Sequence, residues 1–139
     1  LDDFYARFKD DALVLDKWLS LQAMSALPGT LANITALLTH PAFSLKKPNK
    51  VRALIGTFAS ANPLRYHAAD GAGYAFHADR ILELDPINPQ VAARILAPLG
   101  RWQRMDKARQ ALMKRELERI LKAPKLSRDV YEIASKSLG

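Results

Sequence analysis

Residues 88–121 read NPQVAARILAPLGRWQRMDKARQALMKRELERIL. Asn88 followed by Pro89 is a helix start signal, because Asn caps a first turn and Pro needs no backbone N–H there. Apolar residues then recur three and four positions apart, with charged residues between them. Pro98 and Gly100 loosen the end of one helix, and Pro124 ends the next. The stretch therefore predicts two successive amphipathic helices.

Capping residues at helix starts and Pro or Gly at helix ends likewise divide the rest of the chain into short helical segments. The predicted helices run from Asp10 or Asp11 to Ser25, from Thr30 to Thr39, from Asn49 to Asn62, from Tyr74 to Asp85, from Asn88 through Leu96, from Arg101 or Met105 to Leu121, and from Ser127 to Leu138. In the first of these helices the predicted apolar side consists of Leu13, Leu15, Trp18, Leu19, Leu21 and Met24.

About seven to eight short antiparallel helices and no alternating strand pattern predict an all-α, HEAT/armadillo-like helical superhelix. No exact repeat of fixed period is present, so this prediction rests on the length and number of the helices. The chain has 139 residues, of which 49% are apolar and 25% charged. These values are typical of one globular domain, so we expect residues 1–139 to form a single all-helical domain.

Composition also excludes several classes of protein. The chain has no cysteine, which excludes disulfide scaffolds, cysteine-ligated zinc, iron–sulfur clusters and thiol nucleophiles. No apolar stretch approaches the roughly 20 residues that cross a bilayer, so we expect no membrane partner. The sequence opens without Met and without a signal peptide, and we expect a piece of a larger, cytoplasmic protein.

Basic residues are concentrated in two blocks of the chain, whose formal net charge is +7. Residues 41–69 contain five Lys or Arg and no acidic residue, and residues 94–125 contain ten Lys or Arg and three acidic residues. Such blocks are typical of a solvated helix surface, or of a surface that binds an acidic partner. Nucleic acid is a weaker alternative, because no groove-reading or RNA-binding motif is present.

No set of residues with catalytic or metal-binding spacing is found. His67 and His77 lie ten positions apart around a Gly-rich turn, without a third ligand or a His-x-x-x-His pair, so we expect surface or capping histidines. Gly71 and Gly73 form a turn rather than a phosphate cradle, because no strand precedes them. We predict no catalytic residue and no metal site.

Arg52 and Arg94 are the better candidates for binding. Each is expected in the first turns of a helix opened by Asn, where a cation opposes the helix dipole. A guanidinium tolerated there favours a role in binding a carboxylate of a ligand or partner. The alternative is an arginine whose stem lies along the helix boundary and whose head reaches solvent.

Five ordered motifs resemble one family. They are Asn49-Lys-Val-Arg-Ala-Leu-Ile-Gly-Thr-Phe58, Asn62-Pro63, His67-Ala-Ala-Asp-Gly-Ala-Gly-Tyr74, Asn88-Pro-Gln-Val-Ala-Ala-Arg94 and Arg104-Met-Asp-Lys-Ala-Arg-Gln110. In this order they resemble the C-terminal, fourth domain of bacterial aminopeptidases N, zinc metallopeptidases of the gluzincin family. The segments 4–18 and 127–138 fit the same domain, so the resemblance covers essentially the whole chain.

The resemblance implies a helical superhelix that packs over the catalytic domain of the same polypeptide and encloses the cavity above the zinc. It implies that Arg52, Arg94 and Gln90 face the substrate channel, near the carboxyl end of a peptide substrate. The family's His-Glu-x-x-His zinc motif and Gly-x-Met-Glu-Asn motif are absent from these 139 residues. Zinc is therefore expected in the parent enzyme and no cofactor in this part of it. The alternative is a free-standing helical-repeat interaction module with a basic binding face.

Overall fold

The computed structural model describes residues 2–139, with side chains from Tyr5 onward, and every regular element among them is helical. The prediction of an all-α fold is confirmed. The helices are α1 (Asp2–Phe8), α2 (Ala12–Met24), α3 (Thr30–Leu37), α4 (residues 48–61), α5 (Pro63–Tyr66), α6 (Ala72–Leu84), α7 (Pro89–Ile95), α8 (Ala97–Gly100), α9 (Lys107–Leu121) and α10 (Arg128–Leu138). The helix α4 is α-helical at Pro48–Val51 and at Thr57–Ala61, with a π turn at Arg52–Gly56 between them. A separate 3₁₀ turn, Trp102–Arg104, precedes α9.

Side-chain caps fix the starts of four helices. Asp11, Asn88, Asp106 and Ser127 each accept a hydrogen bond from the backbone N–H three residues further on. All four caps satisfy backbone donors that a first helical turn leaves unpaired. The caps at Asp11, Asn88 and Ser127 were predicted. The longest helix, α9, begins just after Asp106 and ends as predicted at Leu121.

The prediction that Asn49 caps its helix is wrong. The helix begins one residue earlier, at Pro48, because proline already has helical φ and needs no N–H partner in the first turn. Lys47 occupies the N-cap position in an extended conformation and makes no side-chain cap. Asn49 therefore lies inside the first turn, where its side chain is free to bind another side chain.

The chain divides into two compact units, the first ending at Arg65 and the second comprising Tyr66–Gly139. In the first unit, α2 packs against α3 and against the whole length of α4. Its largest buried apolar side chains are Leu15, Trp18, Leu19, Ile34, Leu37, Val51, Leu54, Ile55 and Phe58.

The second unit is built on α9 and α10. The helix α9 packs against α6, and α10 packs against α7, α8 and α9. The core of this unit consists mainly of Tyr66, Tyr74, Phe76, Ile81, Leu84, Val91, Leu96, Leu99, Met113, Leu117, Ile120 and Val130.

The helix α2 has a second apolar side that is not buried. Leu13, Leu21 and Met24 are 75%, 63% and 43% exposed, so the prediction that they belong to the core side is wrong. The buried side follows Leu15 and Leu19, whereas the exposed residues follow a separate row on the opposite side of the helix. Sequence periodicity groups both rows as apolar, and only packing against α3 and α4 separates them.

Two glycines shape the start of α6, Gly71 just before the helix and Gly73 in its first turn. Gly71 has φ of 77°, in the left-handed region that glycine adopts without strain. A Cβ on Gly73 would lie 2.4 Å from the carbonyl oxygen of Tyr66, so the two backbones can approach only because Gly73 lacks a side chain. The predicted turn is confirmed at Gly71, whereas Gly73 lies inside α6, which begins at Ala72 rather than at Tyr74.

Candidate functional site

Arg52 lies in the first unit, at the point where the π turn of α4 begins. Its side chain is exposed, and its Nη2 donates a hydrogen bond of 2.8 Å to Asn49 Oδ1. No carboxylate of the described residues lies within ion-pair distance of its guanidinium. The charge is therefore held in place by a neutral amide and remains available to an anion.

The π turn gives this region a backbone that an ordinary helix lacks. Both the backbone N–H and the hydroxyl of Thr57 donate to the carbonyl oxygen of Arg52, five residues earlier, and the hydroxyl bond is 3.2 Å long. Single π turns inside α-helices are rare and are found frequently at functional sites. Sequence periodicity gives no sign of this turn, because one extra residue in a short helix still leaves an apolar stripe.

Gln90 and Arg94 lie together in the second unit, on α7. They are four residues apart and both exposed, so they share one side of the helix. Within the described part of the chain, Arg94 makes no ion pair. A guanidinium and a carboxamide side by side can donate several hydrogen bonds to one carboxylate.

The argument from the helix dipole is wrong for Arg94. The helix α7 ends at Ile95, because Pro98 has no N–H to donate to the carbonyl of Arg94. Arg94 therefore lies in the last turn, where a cation is favoured by the dipole rather than opposed by it. The position of Arg94 is electrostatically favourable, so it does not by itself indicate a function. Arg94 remains a candidate for binding a carboxylate because it is exposed and lies beside Gln90.

Of the three predicted site residues, the structure brings together Gln90 and Arg94, and it places Arg52 in the other unit. Arg52 is instead close to basic residues of its own unit. Lys46, Lys47 and Lys50 line one cavity with it. The signal for this cluster was present in the sequence as a run of basic residues without an acidic neighbour, but only the fold shows that the run surrounds a cavity.

The second unit contains a buried pair of polar rings. The hydroxyl of Tyr66 lies 2.7 Å from His77 Nδ1, and His77 Nε2 lies 2.7 Å from the carbonyl oxygen of Ile95. A carbonyl only accepts, so Nε2 carries the proton and Nδ1 accepts from the tyrosine. Burial lowers the pKa of His77 to about 4, partly offset by the bond to Ile95, and burial raises the pKa of Tyr66. The expectation of a surface or capping histidine is wrong for His77, which is completely buried.

A second ring pair lies beside the first. His67 Nδ1 is 2.7 Å from the hydroxyl of Tyr74, and the carbonyl oxygen of His67 accepts a bond of 2.7 Å from Arg109 Nε. Burial and then the charge of Arg109 lower the pKa of His67, although Asp106 opposes them. Both histidines thus stabilise the second unit in their neutral forms.

Known proteins match the chain along its whole length. A family model described as a domain of unknown function (DUF3458_C) with ARM repeats matches residues 1–139. The chain is 47%, 44% and 40% identical to proteins named aminopeptidase N from Caulobacter vibrioides, Haemophilus influenzae and Escherichia coli, and it covers 16% of each. These alignments include 99% or more of the chain.

A solved structure shows the same similarity. In the crystal structure of Legionella pneumophila aminopeptidase A in complex with aspartic acid, the matching region covers 99% of this chain with a TM-score of 0.93 and 37% identity. That region is 16% of the solved chain. The present chain thus spans about a sixth of the length of the proteins that it matches.

Proposed function

This chain belongs to the family of DUF3458_C ARM-repeat domains, the C-terminal domain of aminopeptidase N, and on that premise we propose that it covers the active-site cavity of a zinc-dependent aminopeptidase and limits access to it. The repeat class predicted from the sequence is confirmed by the family match, and the resemblance is confirmed by the relatives named aminopeptidase N. The proposed parent removes N-terminal residues from peptides, and residues 1–139 contribute no catalytic group.

The observation that carries the proposal is the match of the whole chain to one part of several aminopeptidases, at identities up to 47%. Relatives about six times longer than this chain leave room in the same polypeptide for a catalytic domain. A free-standing interaction module would not require such relatives.

The exposed side of α2 supports a neighbour in the same polypeptide. Leu13 and Leu21 are more than 60% exposed, and Leu27, just beyond the helix, is 70% exposed. In a helical-repeat protein each helix layer buries its apolar side against the next layer. We therefore assign this side of α2 to contact with another part of the parent enzyme.

Zinc does not fit the residues described here. Between Tyr5 and Gly139, no group of three or more His, Asp or Glu side chains is close enough together to hold a metal ion. Both ring nitrogens of His77 are hydrogen-bonded, and His67 Nδ1 is bonded to Tyr74. A zinc ion of the parent would be held by residues elsewhere in the polypeptide.

In the proposed channel, Gln90 and Arg94 of the second unit would act on the carboxyl end of a bound peptide. That Arg52 of the first unit faces the channel stays a prediction. Arg94 and Gln90 can donate together to one terminal carboxylate, and their separation by one helical turn keeps both within reach of it. A helical wall over the active site would also exclude folded proteins, whose chain ends cannot enter a narrow cavity.

Kinetics of the parent enzyme test this role. Replacement Arg94→Ala is expected to raise KM for a tripeptide about tenfold, because it removes a charge-assisted hydrogen bond to the terminal carboxylate. KM for an amino-acid arylamide is expected to change less than about twofold, since that substrate has no carboxylate.

Arg115→Ala is the matched control, because Arg115 is an exposed arginine on α9 with no acidic partner among the described side chains. It should leave KM for both substrates unchanged. Equal effects of Arg94→Ala on tripeptide and arylamide would contradict the proposed contact.

No helix in the described part of the chain is long and apolar enough to span a bilayer. A cytoplasmic location of the parent stays a prediction, and cell fractionation with detection of residues 1–139 checks it.

A further inference from the structure

A cavity of about 430 Å³ opens in the first unit, at the start of α4. Its charged and amide-bearing lining residues are Asp16, Lys46, Lys47, Asn49, Lys50 and Arg52. Four of these six are cations and one is an anion. The cavity thus has an excess of positive charge that the first unit does not neutralise.

The inner wall of the cavity is a neutral pair. Lys50 is 94% buried, since only 6% of its surface is exposed, and its Nζ donates to Asp16 Oδ1 at 2.6 Å and to the carbonyl oxygen of Ala12 at 3.1 Å. A buried ammonium is stable only with such partners. Lys50 and Asp16 therefore anchor the start of α4 against α2 and add no net charge to the cavity.

The rim carries the uncompensated charge. Lys46, Lys47 and Arg52 are exposed, and none of them forms an ion pair with a described carboxylate. Asn49 Oδ1 accepts from Arg52, which leaves the amide N–H₂ of Asn49 as a further donor without a described partner. Three cations and an amide donor around one cavity form a site that attracts anions.

The backbone supports the same conclusion. The π turn starts at Arg52, where the carbonyl oxygen accepts from Thr57 instead of Gly56, so the helix is widened next to the cavity. Such turns recur at functional sites.

We propose that this cavity binds the acidic side chains of peptides, so that Lys46, Lys47 and Arg52 give the parent enzyme a preference for acidic peptides. The proposal rests on the proposed function for its choice of a peptide as ligand. A volume of about 430 Å³ is in the range of pockets that hold small organic ligands, so a carboxylate-bearing chain fits it. Free phosphate offers the same charge chemistry and is one of the ligands compared below.

The test is calorimetric titration of the full-length parent with acetyl-Glu-Glu-Glu-amide at low salt. This probe has no free N-terminal amine, which an aminopeptidase needs in order to cleave a peptide, and it has no terminal carboxylate. Its side-chain carboxylates could still reach Arg94, so the Lys46/Lys47 double variant described below is what assigns the binding to the cavity. Acetyl-Gln-Gln-Gln-amide and inorganic phosphate at equal ionic strength are the comparison ligands. The acidic peptide is expected to bind at least about tenfold more tightly than the glutamine peptide.

The double variant Lys46→Gln/Lys47→Gln is expected to lower the affinity for the acidic peptide about tenfold, because it removes two exposed charge pairs. The matched control Lys122→Gln/Lys136→Gln removes two exposed lysines from the second unit and should change the affinity less than about twofold. All four lysines are exposed, and helical circular dichroism verifies that both variants remain folded.

Three results would overturn the proposal. They are equal affinity for the glutamate and glutamine peptides, equal loss in the two double variants, and tighter binding of phosphate than of the acidic peptide. The last would identify a site for small anions only.

Discussion

The buried His77 predicts how the stability of the second unit depends on pH. Its pKa is about 4 in the folded chain against 6.5 for an exposed histidine. As pH falls below 6.5, His77 becomes protonated in the unfolded chain but stays neutral in the folded chain. The free energy of unfolding therefore falls until the pH reaches about 4, where the folded chain is protonated as well. At about 1.4 kcal/mol for each unit of pKa, the full loss is about 3 kcal/mol.

The assay is urea unfolding of the 139-residue chain, followed by circular dichroism, at pH 7 and pH 4.5. The variant His77→Gln keeps an amide that can donate to the carbonyl of Ile95 but does not titrate. It should be less stable at pH 7, and its loss of stability between the two pH values should be about 2 kcal/mol smaller than that of the unmodified chain.

His67→Gln is the control for this experiment. Its ring is only partly buried and its pKa is also lowered, so its removal should reduce the pH dependence by less than the removal of His77 does. The reasoning is refuted if the unmodified chain and His77→Gln lose the same stability between pH 7 and pH 4.5.

Two further substitutions, Gly73→Ala and Lys50→Met, each with a control variant, probe the packing within the second and the first unit. Gly73→Ala should destabilise the chain by at least about 2 kcal/mol in urea unfolding, because its Cβ would lie 2.4 Å from the carbonyl oxygen of Tyr66. Gly29→Ala, with nothing within 4 Å, should cost less than about 1 kcal/mol, and similar costs would contradict the close approach. Lys50→Met should cost about 2 kcal/mol by leaving the carboxylate of Asp16 without its partner. The double variant Lys50→Met/Asp16→Leu should recover most of that loss, and a double variant as unstable as the single one would show that the pair is not the cause.

Helix boundaries were predictable where a polar cap and an apolar stripe coincide. Asp11, Asn88 and Ser127 are such caps, since the local hydrogen bond needs no tertiary contact to form. Asn49 failed as a cap because Pro48 takes the first helical position ahead of it. The dipole argument failed for Arg94 because α7 is short and ends at Ile95, so that Arg94 lies in its last turn rather than near its start.

The core was less predictable than the helices. Leu13 and Leu21 have the same apolar character as Leu15 and Leu19, and periodicity alone cannot show which row meets a neighbour. His77 shows the converse, because a polar ring enters the core when two partners satisfy its nitrogens.

The candidate site was predictable only in part. Arg52 and Arg94 were selected from their expected helix positions, and the family resemblance added Gln90. The structure shows that all three side chains are exposed and that neither arginine forms an ion pair with a described carboxylate. The cavity beside Arg52 could not be predicted, because it depends on how the 46–50 segment folds against α2.

The most direct test of the account is a crystal structure of the parent enzyme with an uncleavable tripeptide analogue bound at its catalytic centre. The account predicts that residues 1–139 form part of the wall of the substrate cavity and that the terminal carboxylate lies within hydrogen-bonding distance of Arg94 or Gln90. A structure in which both side chains face bulk solvent, remote from the bound peptide, would contradict it.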